Sequence, residues 1–215
     1  MIPPTSIDGT DITGATIDAT DVQEITVDGD VVFTAGPTIT VLDDFESGIS
    51  GWSVQSGPAS VSTTSVSSEG SFGLENAGST AGNSSTVSGT YAIPTNKVFE
   101  IRFDVAWTGN TNFHDINFGR PDRTAGLLNR SGDIILRSGS SDITIKTLPN
   151  FNEYYEAVLR YDPINEEITK VTFDGTTITP NAPFWEVPTF DNIGTNMDDE
   201  NESILIDNIR LATDF

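Results

Sequence analysis

The sequence predicts an all-β protein in which an antiparallel jelly-roll sandwich follows a short N-terminal β-repeat segment. Three observations support this prediction. A ten-residue near-repeat occupies the first 36 residues, alternating apolar and polar residues fill most of the remaining chain, and no window has the apolar spacing of a three-turn helix. Many short alternating segments separated by turn residues are typical of β-sandwiches and jelly rolls.

In the N-terminal repeat, similar residues recur at corresponding positions ten residues apart. Ile7, Ile17 and Val27 share one such position, and each is followed by Asp and then by Gly or Ala. Because Asp before a small residue favours a tight turn, each copy predicts a short strand and a turn. A segment below roughly 40 residues rarely buries a core of its own, and the sequence has no Cys to staple it. We therefore expect other chains to complete the segment; the alternative is a solvated acidic leader.

Gly36-Pro37 interrupts the repeat and predicts a boundary. Residues 1–37 are the predicted segment for anchoring and oligomerisation, and residues 38–215 are the predicted jelly-roll domain. We expect a homo-oligomer, with a trimer as the first choice.

The jelly-roll domain contains a series of predicted strands. In the clearest of them, at residues 98–107, apolar side chains occupy the odd positions from Phe99 to Val105 and again Trp107. Asp174-Gly175 joins two further strands and is a hairpin signal. The predicted strands are 39–42, 52–54, 59–61, 71–74, 98–107, 113–119, 134–137, 143–146, 154–161, 167–173, 176–178 and 204–211.

The charge of the chain is strongly negative, with 32 Asp and Glu against 10 Lys and Arg and a formal net charge of -22. Disorder is one explanation, but the alternating Val, Ile, Phe and Tyr residues favour a folded protein adapted to very salty media. At about 1 M salt the Debye length is only about 3 Å, so surface repulsion is screened. This charge argues against binding to nucleic acid or to anionic membranes. The sequence contains no run of about 18 apolar residues, so it predicts no membrane span.

Both ends of the domain resemble known jelly rolls. Residues 42–48 resemble the opening strand of carbohydrate-binding-type jelly rolls, and residues 204–211 resemble their closing strand. In the middle, the strands 154–161 and 168–173 resemble those of laminin-G and concanavalin A-like domains. The resemblance implies a lectin-like fold for residues 38–215.

The end of the repeat segment has its own resemblance. Residues 24–33 resemble short β modules at the N-termini of structural proteins of tailed viruses, including haloarchaeal ones. The Asp-rich, Lys-poor composition also resembles proteins of halophilic archaea and their viruses. Together these resemblances imply an anchor that carries a displayed lectin-like head.

Three acidic residues are candidate ligands of a structural Ca²⁺: Asp43 and Glu46 near the first strand, and Asp207 in the last. The resemblance implies that these strands are neighbours, and a hard cation needs several oxygens at about 2.3–2.6 Å. The alternative is that they are ordinary acidic residues in an acidic chain.

One loop supplies the residue types of a sugar site. Aromatic rings cover the apolar face of a pyranose, while amides and carboxylates bind its hydroxyls. Trp107, Asn110, Asn112 and Asp115 lie in this loop, and Trp185 is the candidate wall of the site. For each aromatic residue the alternative is core packing.

Catalysis is not expected, because the sequence has one His, no Cys, no nucleophile elbow and no phosphate loop. The N-terminus shows no secretory signal, which favours a component of a virus particle over an exported protein. We expect a virion structural protein of a haloarchaeal tailed virus, either a capsid decoration, turret or tail-fibre subunit. It would bind other virion proteins through residues 1–37 and host glycans or S-layer glycoprotein through the jelly roll. The alternatives are a cellular polysaccharide-binding module of a halophilic archaeon and a glycosidase.

Overall fold

The structure, a computed structural model, divides the chain into two compact units, Met1–Thr38 with Asp214–Phe215, and Ile39–Thr213. The second copy of the repeat, at 17–22, lies outside the described residues. The structure describes residues 6–7, 10–11, 24–27, 30–34, 36–57, 60–78, 85–109, 114–118, 126–138, 141–184, 190–197 and 202–215.

Two short antiparallel hairpins belong to the first unit. Strand β1 (Ser6–Ile7) pairs with β2 (Thr10–Asp11), and β3 (Glu24–Val27) pairs with β4 (Asp30–Thr34). In each hairpin the two residues between the paired strands are Asp-Gly, the combination that a two-residue turn favours. The first and third copies of the repeat therefore each contain residues from both strands of a hairpin.

The remaining strands make the sandwich. In chain order they are β5 (Thr38–Asp43), β6 (Trp52–Ser56), β7 (Ser60–Thr64), β8 (Gly73–Ala77), β9 (Ser85–Thr90), β10 (Phe99–Trp107), β11 (His114–Phe118), β12 (Gly126–Arg130), β13 (Asp133–Ser138), β14 (Ser141–Thr147), β15 (Tyr155–Asp162), β16 (Glu167–Phe173), β17 (Thr176–Ile178), β18 (Ala182–Pro183), β19 (Asn192–Met197) and β20 (Ser203–Thr213).

Within the described residues these strands form a nine-stranded and a seven-stranded sheet. The order of the first is β17-β16-β15-β10-β20-β8-β7, with β18 beside β16 and β5 beside β20. The order of the second is β14-β13-β12-β11-β19-β9-β6. Neighbouring strands are antiparallel, as β10 is with β15 and β20, and both sheets contribute to one apolar core. The predicted all-β jelly-roll sandwich is confirmed.

Strand β10 shows how the core and the outer face are separated. Because successive side chains of a strand point to opposite sides, its odd-numbered residues Phe99 to Trp107 enter the core and are at most 2% exposed. Burying each such side chain contributes about 1.5–3 kcal/mol. The even-numbered residues Glu100, Arg102 and Asp104 therefore lie on the outer face of the nine-stranded sheet.

Strands β9, β12 and β19 lie where the sequence predicts none. Strand β9 follows a stretch rich in Ser, Thr and Gly, and its Gly89 faces the indole of Trp52. A Cβ at this position would come within 2.7 Å of the ring. Packing therefore requires glycine here, although glycine weakens the sequence pattern that predicts a strand.

Candidate functional site

A buried carboxylate organises the outer face of the nine-stranded sheet. Glu100 is fully buried. Its Oε2 accepts hydrogen bonds from Nε and Nη2 of Arg102 at 3.1 and 2.7 Å, and its Oε1 accepts them from Nε and Nη2 of Arg160 at 3.0 and 2.7 Å. Lys170 Nζ lies 3.4 Å from Oε1. Removing a carboxylate from water is costly, and these cations offset that cost.

The balance of these interactions keeps Glu100 ionised. Burial favours the neutral acid, but the hydrogen bonds from Arg102 and Arg160, together with the charges of Arg160 and Lys170, outweigh it and lower the pKa of Glu100 below its usual value. Glu100 therefore serves as a fixed anion that holds two guanidinium groups in place.

Next to Glu100 on this face, two arginines lie opposite each other on neighbouring strands. Arg102 of β10 and Arg210 of β20 are register partners, although like charges directly opposite destabilise a sheet. Arg210 Nη2 lies 3.8 Å from Glu156 Oε1. Within the described part of the chain, the buried Nε of Arg210 has no hydrogen-bond partner. Beside this pair lie the buried side chains of Val158 and Ala212, opposite Arg102 and Glu100 respectively.

We call Arg102, Arg160, Lys170 and Arg210 the basic cluster. Their side chains are 25–33% exposed. They make up four of the ten basic residues in the chain. A protein with a net charge of -22 thus places much of its positive charge on one sheet face. No motif or spacing in the sequence indicates this cluster.

Asp43, the first of the predicted calcium ligands, accepts hydrogen bonds at the start of the sandwich. Its Oδ1 accepts from the amide of Phe45 at 3.0 Å, and its Oδ2 from the hydroxyl of Tyr91 at 2.9 Å and Nε1 of Trp52 at 3.3 Å. Burial first, and then the Asp43 carboxylate, raise the pKa of Tyr91, so the phenol keeps its proton and donates it. Trp52 is a core residue.

Glu46 and Asp207, the other two candidates, hold the loop between β7 and β8. Glu46 Oε1 accepts from the amides of Ser71 and Phe72 at 2.7 and 2.8 Å. Asp207 Oδ2 accepts from the amides of Ser68 and Glu69 at 2.8 and 3.2 Å. Backbone amides thus already bind one oxygen of each of these two carboxylates. No group of three or more His, Cys, Asp or Glu among the described residues is arranged to hold a metal. The calcium site stays a prediction.

The structure places Trp107 in the core rather than at the surface. It is 1% exposed, and its ring centroid lies 6.1 Å from that of Phe173. The alternation of β10 turns odd-numbered side chains inward, so Trp107 is not the sugar platform that the sequence suggested. Asp115 lies on β11 opposite Asn196, and its side chain is outside the described part. Asn110, Asn112 and Trp185 also lie outside the described residues, so their role stays a prediction.

Among the described residues, no helix has the length and apolar character required to cross a membrane.

Comparison with known proteins relates the chain by fold rather than by sequence. No family model and no curated protein matches it. A sialidase structure is similar with a TM-score of 0.62 and 15% identity, over 83% of this chain and only 18% of the sialidase. A conserved carbohydrate esterase from the Shiga toxin-encoding bacteriophage phi24B is similar with a TM-score of 0.56 and 15% identity, over 82% of this chain and 99% of the esterase.

A third similar structure is botulinum neurotoxin type C, whose cell entry depends on interaction with two ganglioside molecules. Its TM-score is 0.53 and its identity 13%, over 82% of this chain and 47% of the chain in that structure. At these identities the similarity shows the fold alone. The chain is therefore a β-sandwich of the jelly-roll kind, similar in fold to proteins that act on or bind carbohydrate.

Proposed function

We propose that the jelly-roll unit is a carbohydrate-binding, lectin-like module. The observation that supports this most is its fold, because the similar structures are a sialidase, a carbohydrate esterase and a toxin that interacts with gangliosides. The outer face of the nine-stranded sheet supports it further. There, partly exposed basic side chains supply charged hydrogen-bond donors, which are among the polar groups that sugar sites use.

The proposed setting is the particle of a haloarchaeal tailed virus, where the module acts as a capsid decoration, turret or tail-fibre head that contacts host glycans or S-layer glycoprotein. Three observations support it. The net charge of -22 suits molar salt. The N-terminal repeat supplies hairpins of two to five residues per strand, too short to be stable alone. The chain also covers 99% of the phage esterase chain in that structure, so this fold occurs in a protein of viral origin.

A glycan array probed with the full chain at about 3 M NaCl tests the binding function. We expect weak binding per site that clustering of the heads strengthens by about 10²–10⁴-fold. Trp185→Ala tests the predicted wall of the sugar site and should weaken binding, and Phe72→Ala is the matched control because it removes an exposed aromatic ring that the prediction does not involve. Absence of binding to every glycan, also after artificial clustering, would contradict the function.

Mass spectrometry of purified particles tests the viral setting. Recovery of the chain from cell envelopes, with none in particles, would favour the cellular polysaccharide-binding module instead. The other candidate is a hydrolase, which the sialidase and esterase favour. Release of sugar or acetate from host glycans would identify it.

A further inference from the structure

We propose that Arg102 and Arg210 form a binding site for the acidic group of an anionic saccharide, a carboxylate or a sulfate. The inference rests on the proposed carbohydrate-binding function and specifies its ligand class. Its starting point is the pairing of the two arginines across β10 and β20.

The pairing is unfavourable without a shared partner. Neighbouring strands are about 4.8 Å apart, so the two arginine side chains leave the sheet side by side, and like charges at such positions destabilise a sheet. Glu100 uses one edge of Arg102, through Nε and Nη2. Nη1 of Arg102 has no acceptor in the part of the chain that the structure describes. The nearest carboxylate oxygen of Glu156 is 3.8 Å from Arg210, beyond hydrogen-bond distance.

Arg210 adds an independent observation. Its buried Nε is a donor without a partner among the described residues, although its side chain is 26% exposed. Buried donors are nearly always satisfied, and an exception needs an explanation. Nε itself is buried, so a ligand would bind the exposed part of Arg210 beside it and offset the like charges of the two arginines.

The chemistry of the donors selects the ligand. A guanidinium group only donates hydrogen bonds, so the pair prefers a group that only accepts them, and its planar fork fits a carboxylate or a sulfate. Hydroxyl groups, which also donate, fit less well. The chain as a whole has a net charge of -22, so its surface in general disfavours anions. At molar salt Coulomb attraction is weak beyond a few ångströms, but directional hydrogen bonds at contact distance persist.

The arginine side chains themselves favour a saccharide over a free ion. The neighbouring Val158 and Ala212 are buried and offer no surface to a ligand. Arg102 and Arg210 are 25% and 26% exposed, and the aliphatic part of an arginine can pack against the C–H face of a sugar ring.

The probes are methyl glucuronide and methyl glucoside, which differ only in the carboxylate, and sodium acetate, which has the carboxylate without the ring. Full-length protein labelled with ¹⁵N is titrated with each probe at constant high salt. The arginine Nε–H signal that disappears in Arg210→Gln identifies Arg210. We expect methyl glucuronide to shift this signal at lower concentration than acetate does, and methyl glucoside to leave it unchanged.

Arg210→Gln is the informative variant because Arg210 does not hold Glu100, so the sheet is expected to fold; circular dichroism checks this. We expect it to weaken glucuronide binding about 10-fold or more, the effect of losing a charge-assisted hydrogen bond. Arg210→Lys keeps the charge but loses the fork and should restore only part of the affinity. Arg137→Gln, on β13 of the other sheet, removes the same charge and should bind as the wild type does.

Each contrary result has a distinct meaning. Acetate binding as tightly as the glucuronide would overturn the saccharide assignment. If neutral glycans bind the protein and the glucuronide does not shift the Arg210 signal, the inference is wrong while the carbohydrate-binding function stands. If no glycan binds at all, both are wrong. If Arg210→Gln changes the mass measured by light scattering, the arginine pair binds an acidic surface of a second copy, and the inference is overturned.

Discussion

Replacing Glu100 by Gln removes the carboxylate beneath the basic cluster and keeps the size of the side chain. Glu100 is fully buried and accepts two hydrogen bonds from each of Arg102 and Arg160. The amide of Gln keeps one oxygen for one guanidinium group, but its NH₂ group turns donors towards the other. The variant therefore loses about half of the charge-assisted hydrogen bonds and gains a repulsive contact between donors.

The magnitude follows from these contacts. A hydrogen bond to a charged group contributes about 1.5–3 kcal/mol net, and breaking a buried ion pair costs about 3–5 kcal/mol. The arginine side chains are 25% and 30% exposed, so water satisfies part of what they lose. We expect a loss of about 3 kcal/mol in the free energy of unfolding. For a unit of this size, this lowers the Tm by about 6–12 °C.

The effect has a defined pH dependence. The pKa of Glu100 is held below 4.5 in the folded protein. The stabilisation from its ionised form is therefore complete well above this unfolded value and is lost as the pH falls through the lower folded value. We expect the stability difference between wild type and Glu100→Gln to be constant near neutral pH and to shrink below 4.5.

Thermal and urea unfolding, followed by circular dichroism at constant high salt, measure this difference. Glu156→Gln is the control, because Glu156 is 56% exposed and lies 3.8 Å from Arg210. It removes the same charge and should cost less than about 1 kcal/mol. Equal melting of the two variants near neutral pH would refute the central role of Glu100. A difference that does not change with pH would refute the argument from ionisation.

Three further predictions concern other parts of the chain. Because its charge is -22, the protein should lose stability between about 3 M and 0.1 M NaCl; a constant Tm by circular dichroism over that range would refute the halophilic interpretation. Tyr91→Phe removes the acceptor that lies 2.8 Å from Trp52 Nε1 and the donor to Asp43, so the unfolding free energy should fall by about 1–2 kcal/mol, and urea titration measures the change. Deleting residues 1–36 should reduce the mass measured by light scattering from that of an oligomer, a trimer by preference, to that of a monomer; an unchanged mass would contradict an assembly role.

The fold was predictable because its core strands alternate strongly. In β10 and β15 nearly every second residue is large and apolar, and that pattern has few structural solutions. Strand β9 was harder to predict from the sequence. Its Gly89 is required by the indole of Trp52, 37 positions earlier in the chain, and nothing in a local window reveals this contact. For Trp107 the local pattern was sufficient. Its position at the end of an alternating strand indicated burial more strongly than the polar loop after it indicated a surface role.

The basic cluster could not be predicted in the same way, because it forms only when neighbouring strands pair in a particular register, and the sequence of one strand does not specify that register. Core residues in β20 are even-numbered at Ile204 and Ile206 but odd-numbered at Ile209 and Leu211. The phase changes across Asp207 and Asn208, where the pairing with β10 shifts and Asn208 has a φ of 54°. A bulge of this kind adds a residue to one strand. It lets Asp207 and Arg210, three positions apart, share the outer face, which a regular strand forbids. The phase change is visible in the sequence, so the bulge could have been inferred; that Arg210 then faces Arg102 could not, because it depends on how the two strands pair.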